Sequence, residues 1–497
     1  MRTPMLRSLR KTALDPSTLR ADFAASLVVF LVAVPLCVGV AVASGVPAEL
    51  GLVTGIVGGL LTGLMPGSSL QVSGPAAGLT VLVYEAVTEF GVAALGVLVL
   101  ASGLLQLLMG LLGLGRLFRA ISVSVVQGML AGIGLVLIAG QLYALAGARA
   151  PGNGPANLAG LPGLAADTFS SSTALASFAV GGGTVAVLVL WKHLPAKVRV
   201  LPAPLAAVAL AVLATAAFGL PVAKVEVNGL LDVVHTPGAS SFEVLTGLGG
   251  ITTVLAFTLI ASAESLFSAA AVDRLHSGPR TDYDRELIAQ GAGNTVCGLL
   301  GALPMTAVIV RSAANVHAGA RTKASRVLHG GWLLLFAALL PAALGVIPLP
   351  ALAGVLVHAG FKLLPLGSLV PLWRTHRGEV LVLTATAVAI VATNMFEGVL
   401  LGLLLAVLKT AWETSSVHLE VDDRATGAIR VTVSGNATFL RLPRILDTLE
   451  SLPRDRPIEL DLDALRHLDH ACRTALQDWA GRHNAHGVDP VRVPALL

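Results

Sequence analysis

Two charged residues interrupt long apolar stretches of the sequence. Arg311 follows the apolar run Met305–Val310, and Glu264 lies in the middle of Thr252–Val272. A charge at membrane depth is costly, so such residues are candidates for function. Arg311 could attract an anion, or it could neutralise a buried acid or bind backbone carbonyls. Glu264 could carry a proton, or it could form a fixed ion pair with Arg311.

Arg311 follows one of two glycine-rich segments that end in a proline. Gly55–Pro66 precedes Gln71–Gly78, and Gly291–Pro304 precedes the stretch that contains Arg311. A shift of 238 positions superposes two glycines and the proline of these segments, and it places Ser73 on Arg311. A helix that begins inside a membrane presents free N–H groups and the positive end of its dipole, which suits an anion. Such breaks at matched positions predict the binding site of a transporter.

The elements that position these breaks are predicted to be membrane helices. Hydrophobic residues make up 55% of the 497, charged residues only 12%, and the mean hydropathy is +0.81. A membrane helix needs about 20 apolar residues, so residues 22–412 have room for about fourteen spans. Two repeats of seven, about 22–225 and about 245–412, would have inverted topology because seven is odd. The fold predicted is an α-helical polytopic membrane protein with half-helices in spans 3 and 10.

The distribution of basic residues predicts the orientation. Residues 1–21 carry five basic residues and are expected in the cytoplasm. With fourteen spans, 20 basic residues of residues 1–412, these five included, fall on the cytoplasmic side and 2 on the other. We therefore expect a bacterial-type inner (plasma) membrane, with the N-terminus and the tail in the cytoplasm. Because these basic residues lie in short loops, topology explains the net charge of +4 and no nucleic-acid partner is expected.

Motifs of enzymes and metal sites are not found. Cys37, Cys297 and Cys472 are too far apart in sequence to suggest a zinc site or a disulfide framework. No GxSxG, CxxC or paired His/Glu motif lies at a place accessible from the membrane surface. We expect no enzyme activity, no metal and no cofactor.

Residues 413–497 differ from the rest in composition, with 10 Lys/Arg and 13 Asp/Glu. Their pattern predicts a small α/β domain in the cytoplasm. The predicted order is strand, strand, helix, strand, helix, strand, in the segments His418–Val421, Ala428–Val433, Phe439–Leu452, Ile458–Leu462, Cys472–His483 and Val491–Val493.

Several motifs together resemble the sulfate permease (SulP) family of anion transporters, which includes relatives of prestin and bacterial members. They occur in both halves of the membrane part, in the order of that family. The motifs are Pro35, Ala43–Leu52, Gln71–Pro75, Glu264, Arg285–Gly291, Arg311–Asn315 and Gly319–Thr322. In the tail, Ile458–Asp463 and the loop at Leu468–Asp469 resemble a STAS domain, with His470 where anti-sigma antagonists carry a phosphorylated serine.

The resemblance implies a core domain of spans 1–4 and 8–11 and a gate domain of spans 5–7 and 12–14. It also implies elevator-like movement, a homodimer in the lipid bilayer, and an anion site between the starts of spans 3 and 10. The substrate-binding residues that it implies are Leu36, Cys37, Val40, Gly74, Pro75, Ala76, Ala77, Ile309, Val310, Arg311 and Ser312. Glu264 and Ser268 are implied in proton coupling.

The sequence departs from parts of the family pattern. Sodium-coupled bicarbonate members carry Asp in span 8 and Thr before the span-10 arginine, where this chain has Glu264 and Ile309. The loss of a hydroxyl ligand argues against sodium and favours protons. Prestin-like members have Gln and an aromatic residue where this chain has Leu36 and Ala76. A roomier and less polar pocket would admit an organic anion.

These observations predict a secondary active anion transporter. The leading hypothesis is proton-coupled symport of sulfate, of a dicarboxylate such as fumarate, or of bicarbonate, by an elevator-like mechanism. An exchanger or uniporter without proton coupling is the first alternative. The second alternative is a membrane sensor in which the tail signals anion binding. The sequence does not choose among the anions.

Overall fold

The computed structural model describes residues 16–120, 122–195, 201–226, 229–230, 232–423, 427–453, 456–486 and 491. They form two compact units, which divide between Gly402 and Leu403. The division predicted from composition lies ten residues later, at 412/413. Most of the predicted cytoplasmic segment 1–21 lies outside the described residues.

The first unit is built almost wholly of helices, as expected where backbone N–H and C=O groups must be satisfied within the segment. In its first half these are α1 (Pro16–Ala43), α2 (Ala48–Val57, continued by a π turn to Thr62), α3 (Thr80–Phe90), α4 (Val92–Leu111), α5 (Val123–Leu145), α6 (Gly154–Ala159), α7 (Leu161–Ser170), α8 (Ser172–Leu190) and α9 (Ala203–Ala217). In its second half they are α10 (Leu248–Val272), α11 (Tyr283–Leu299), α12 (Ile309–His317), α13 (Ala324–Leu339), α14 (Leu349–Leu363), α15 (Leu366–Thr375), α16 (Arg377–Ala392) and α17 (Met395–Thr414), which runs into the second unit.

Seven helical segments in the described part of the chain are long and apolar enough to cross a membrane, so the chain is a multi-pass membrane protein. They are Pro16–Ala43, Val92–Leu111, Val123–Leu145, Ser172–His193, Leu248–Val272, Leu349–Thr375 and Met395–Thr414. Ala48–Thr62, Ala203–Ala217 and Ala324–Leu339 are shorter apolar helices. The count of fourteen and the inverted repeats stay predictions. The run expected at Trp332–Ile347 instead begins at Ala324 and ends at Leu339, before Pro341.

Two short strands lie where the sequence predicts breaks. Strand β1 (Ser73–Pro75) pairs antiparallel with β2 (Met305–Ala307), with Gly74 opposite Thr306. A 3₁₀ turn at Ala77–Leu79 leads from β1 into α3, and β2 leads into α12. All six strand residues are buried. The paired strands satisfy part of the backbone that the broken helices leave free.

The strands correct one detail of the sequence comparison. Matching Ser73 to Met305, the first residues of β1 and β2, requires a shift of 232 rather than 238. Ser73 therefore does not correspond to Arg311, which lies in the first turn of α12. The reason is that the segment between Pro66 and its strand is longer than the segment between Pro304 and its strand.

Helices α4 and α11 pack closely because glycines remove side chains from their contact. A Cβ on Gly298 would lie 2.5 Å from Cα of Leu100, and a Cβ on Gly291 would lie 2.6 Å from N of Leu107. Such close approach of backbones through small residues is typical of membrane helices. It fixes α11, which leads directly to β2.

The second unit contains a mixed sheet with two helices. Strands β3 (Val417–Asp422) and β4 (Ile429–Ala437) are antiparallel, while β5 (Ile458–Asp461) and β6 (Leu465–Leu468) both pair parallel with β4. The helices are α18 (Leu442–Glu450) and α19 (His470–His486).

The predicted order of elements in the tail is found from the first strand to α19, with one addition. Strand β6 was not predicted, because its four residues lack an alternation of apolar and polar side chains. Of the last predicted strand, only Val491 belongs to the described residues.

Candidate functional site

A cavity of about 220 Å³ lies beside the two strands, within the first unit. Nine of the predicted site residues line it, from five different elements. They are Leu36, Val40, Pro75, Ala77, Glu264, Ser268, Ile309, Val310 and Arg311. The fold thus brings together residues that are up to 275 positions apart in the sequence.

Arg311 forms the polar floor of this cavity. Its side chain is fully buried in the first turn of α12, and the residue is among those that line the cavity. Nη2 donates a hydrogen bond to the carbonyl oxygen of Pro75 at 3.3 Å, while Nε and Nη1 have no hydrogen-bond partner. Unpaired N–H groups on a buried cation are expensive to maintain. They are suited to bind an anionic oxygen.

Glu264 reaches the cavity from α10. Both carboxylate oxygens lie 2.8–2.9 Å from the position that a Cβ on Gly78 would occupy. Oε2 is buried without a hydrogen-bond partner. Among the salt bridges formed by the described residues, none joins Glu264 to Arg311, so a fixed ion pair between them is not present.

The four other predicted residues lie behind the cavity wall. Cys37 is fully buried against Gly55, and Ala76 is buried. Gly74 borders the guanidinium group, since a Cβ on this residue would overlap Nη1 of Arg311. The hydroxyl group of Ser312 accepts a hydrogen bond from N of Val72 at 2.9 Å and donates one to the Val308 carbonyl at 2.8 Å, so it is already used within the protein.

Asparagine side chains complete the hydrogen bonding of the irregular backbone. Asn294 accepts from N of Met305 at 2.7 Å and donates to the Met305 carbonyl at 3.1 Å, much as a third strand would. Asn315 donates to the carbonyl oxygen of Leu70 at 2.9 Å.

Arg326 supports the segment before β1 and was missed by the sequence analysis. It is 2% exposed and donates to four backbone carbonyls, those of Thr62, Gly63, Met65 and Gln71, at 3.0–3.2 Å. Sequence position alone assigned it to a cytoplasmic loop. No signal in the sequence indicates that its partners would lie about 260 residues away.

The remaining wall of the cavity is mostly apolar and consists of residues that were not predicted to belong to the site. Those residues are Val126, Met129, Leu130, Leu188, Pro204, Phe267, Ala271, Val308, Val355, Ala359 and Leu363. Two basic residues of α14, His358 and Lys362, also line it.

A family profile described as the sulfate permease family matches residues 19–386. The chain belongs to this family. A sulfate permease relative is the "Bicarbonate transporter BicA" of Picosynechococcus sp., which is 26% identical over 479 residues, covering 90% of this chain and 82% of that protein. "Sulfate transporter 4.1, chloroplastic" of Arabidopsis thaliana is 26% identical over 385 residues, covering 73% of this chain and 54% of that protein.

The sulfate permease fold is also found by comparison with solved structures. The murine Solute Carrier 26 family member A9 (Slc26a9) anion transporter in the inward-facing state has a TM-score of 0.78 and covers 98% of this chain and 87% of that chain. At 15% identity, this likeness shows the fold alone.

Proposed function

We propose that the chain is a secondary active anion transporter that couples the anion to protons. Sulfate, a dicarboxylate such as fumarate, and bicarbonate are the candidate substrates. The relatives named above as bicarbonate and sulfate transporters support transport of an anion. The observation that carries the proposal is the buried Arg311, whose Nε and Nη1 groups have no partner.

The position of Arg311 explains how an anion would be held. A carboxylate or sulfate oxygen pair matches the fork geometry of a guanidinium group. Helix α12 and the 3₁₀ turn at Ala77–Leu79 both begin beside the cavity. Their first N–H groups, at the positive ends of their dipoles, would also attract an anion. The mostly apolar wall strengthens these interactions because it lowers the local dielectric constant.

Glu264 is proposed as the proton-coupling group. It lines the same cavity as Arg311, forms no salt bridge with it, and has an unpartnered carboxylate oxygen. A carboxylate near the site would repel the anion, whereas a protonated carboxyl group would not. Protonation would thus favour anion binding, and release of both would restore the charged carboxylate. Ser268, one turn further along α10, would assist the transfer of this proton.

The remaining features of the proposal follow the family resemblance. The cavity extends from the strands towards helix ends near Val126, Ala271 and Lys362, which the charge distribution assigns to the cytoplasmic side. An elevator-like movement would carry the site to the other side. The homodimer, the bacterial-type inner membrane and a cytoplasmic STAS domain in the tail belong to the same proposal.

Uptake into proteoliposomes tests the proposal. Labelled sulfate, fumarate and bicarbonate are each offered with an inward proton gradient, an inward sodium gradient or no gradient. We expect uptake of one of them to be driven by protons and not by sodium. Glu264→Gln should abolish the response to the proton gradient.

Other outcomes of this experiment would favour the alternatives. Uptake that ignores both gradients but needs an anion inside would make the chain an exchanger, with a structural role for Glu264. Anion binding without uptake would favour a sensor.

A further inference from the structure

Three residues with side-chain N–H donors line the cavity and differ in exposure. Lys362 is exposed at the end of α14, His358 is half-buried one turn before it, and Arg311 is fully buried at the floor. Residues four apart on a helix lie on the same face, so both α14 side chains reach the same wall. Glu264 is the one acidic residue among the lining residues of this cavity.

We propose that Lys362 and His358 form a capture site that takes the anion at the mouth of the cavity and passes it to Arg311. This inference rests on the proposed function, since it concerns the path to the same floor. It assigns a role to α14, a helix that is part of neither the paired strands nor the half-helices.

The apolar walls of the cavity increase the effect of its basic residues on an anion. A cleft lined by charge of one sign, with apolar walls, focuses the field and raises the local concentration of the opposite ion. Lys362 is well placed for this role because none of the salt bridges among the described residues involves it. Its charge is therefore not already neutralised by a carboxylate.

A structural role for Lys362 makes a different prediction. A lysine in the last turn of a helix also stabilises that helix through its interaction with the helix dipole. A purely structural role would lower the melting temperature of a variant and leave anion affinity unchanged. Capture, in contrast, would change affinity and its dependence on salt.

The test measures binding and uptake by the full chain. The Kd for labelled sulfate and for labelled fumarate is measured on purified protein, and KM and maximal rate are measured in proteoliposomes. We expect Lys362→Gln to raise both Kd and KM about fivefold with little change in maximal rate. The wild-type KM should rise steeply between about 0.01 and 1 M salt, where the Debye length falls from about 30 to 3 Å, and that of the variant much less.

Matched variants control this experiment. Lys192, in the short turn after α8, is exposed and does not line the cavity, so Lys192→Gln should leave KM and its salt dependence unchanged. Lys362→Arg should keep the wild-type values, and Lys362→Glu should raise KM more than Lys362→Gln does. His358→Gln, which keeps an N–H donor, should have a smaller effect than His358→Leu.

The outcomes separate the two proposals. If the wild-type chain binds or transports an anion and Lys362→Gln keeps the wild-type Kd and salt dependence, the capture site is wrong and the proposed function stands. A lower melting temperature with unchanged Kd leads to the same conclusion. If the wild-type chain neither binds nor transports any of the anions, the proposed function is wrong and the capture site with it.

Discussion

The two broken segments of the membrane unit share a backbone plan and differ in what they supply. The first crossing, residues 63–90, and the second crossing, residues 300–317, each contain a short strand followed by a helix. At the strand-to-helix junction the first crossing has the small residues Gly74 and Gly78, whereas the second has Arg311. The first crossing thus provides space, and the second provides charge.

Each of the two glycines on the first crossing lies beside a charged side chain from another element. The missing side chain of Gly74 leaves room for the guanidinium group of Arg311, and the missing side chain of Gly78 leaves room for the carboxylate of Glu264. Two structurally matched segments can thus supply different parts of one site. Glycines on one segment leave the room that charged side chains from other elements occupy.

The two crossings also differ in how they are held. The first has a long approach to its strand, fixed by four hydrogen bonds from Arg326. The second has a short approach, held by hydrogen bonds to Asn294 on the preceding helix α11, to Thr54 and to Ser265. The first crossing therefore depends more on distant parts of the sequence.

Removing the charge of the second crossing should have the largest effect. Arg311→Gln takes away the buried cation, and we expect uptake to fall by about a hundredfold, since interactions with a buried charged partner are worth several kcal/mol. Arg311→Lys should recover only part of it, because lysine lacks the fork geometry. Arg280→Gln, at an exposed loop position, is the control. Near-normal uptake by Arg311→Gln would mean that the charge is not part of the site.

Filling the spaces of the first crossing should come next. In Gly74→Ala the new methyl group would overlap Nη1 of Arg311, which is fully buried and has little room to move. We expect uptake to fall about tenfold, which corresponds to about 1.4 kcal/mol. Gly78→Ala should instead weaken the response to a proton gradient. Gly331→Ala, where a Cβ meets nothing within 4 Å, should be silent. Wild-type behaviour of both Gly74→Ala and Gly78→Ala would contradict the conclusion that the first crossing provides space for charged side chains.

The supports of the two crossings can be compared by thermal unfolding of the detergent-solubilised chain. Arg326→Met leaves four buried carbonyls without a charged donor, at a cost of about 3 kcal/mol or more. Asn294→Leu leaves the N–H and C=O groups of Met305 unpaired, at a cost of about 2 kcal/mol. We expect the larger drop in melting temperature for Arg326→Met. The reverse order would show that the second crossing depends more on its supporting side chain than the first does.

The smallest effect is expected in the tail, away from both crossings. Asp469 precedes α19, and its carboxylate accepts hydrogen bonds from N of Cys472 at 2.8 Å and from N of Phe439 at 2.5 Å. Desolvation raises the pKa of Asp469, but these backbone hydrogen bonds, the Cys472 thiol and nearby His467 outweigh it, so that the pKa lies below its ordinary value. Asp469→Ala should destabilise α19 by about 1 kcal/mol through loss of the helix cap.

Hydrogen exchange of α19 in the full chain measures this effect. Because the pKa of Asp469 is lowered in the folded state, its contribution is complete above about pH 4, the ordinary value of the unfolded chain, and is lost as the pH falls through the folded value. Wild type and Asp469→Ala should therefore differ in exchange at neutral pH and converge in acid. A difference that persists in acid would assign the stabilisation to another contact. Anion uptake by Asp469→Ala at neutral pH should equal that of wild type.

Much of the fold could be predicted from composition and local pattern. A long apolar run such as Val123–Leu145 can bury its backbone in a membrane only as a helix, and the structure has a helix with these bounds. The alternation of residues 458–462 likewise indicated the strand found at Ile458–Asp461. Predictions failed where the pattern is short, as in strand β6, or where a proline ends the helix, as at Leu339.

The candidate site was predicted less completely than the fold. Arg311 and Glu264 could be found because a charge within an apolar run is rare and expensive, and family motifs named the glycines around them. His358 and Lys362 could not be assigned, because they lie at the end of an ordinary apolar helix and carry no local signal. Whether a basic residue at a helix end faces a cavity, a lipid or a loop is a property of its neighbours.

The sequence by itself determined that this chain crosses the membrane as helices, breaks two of them near its buried charges, and belongs with anion transporters. Composition and periodicity are local properties, and the cost of leaving polar groups in lipid makes them decisive. Only the tertiary structure decided which residues share one cavity. Glu264 and Arg311 line the same cavity without forming a salt bridge, and Arg326 binds carbonyls some 260 residues away, because strand pairing and glycine-mediated packing set these distances.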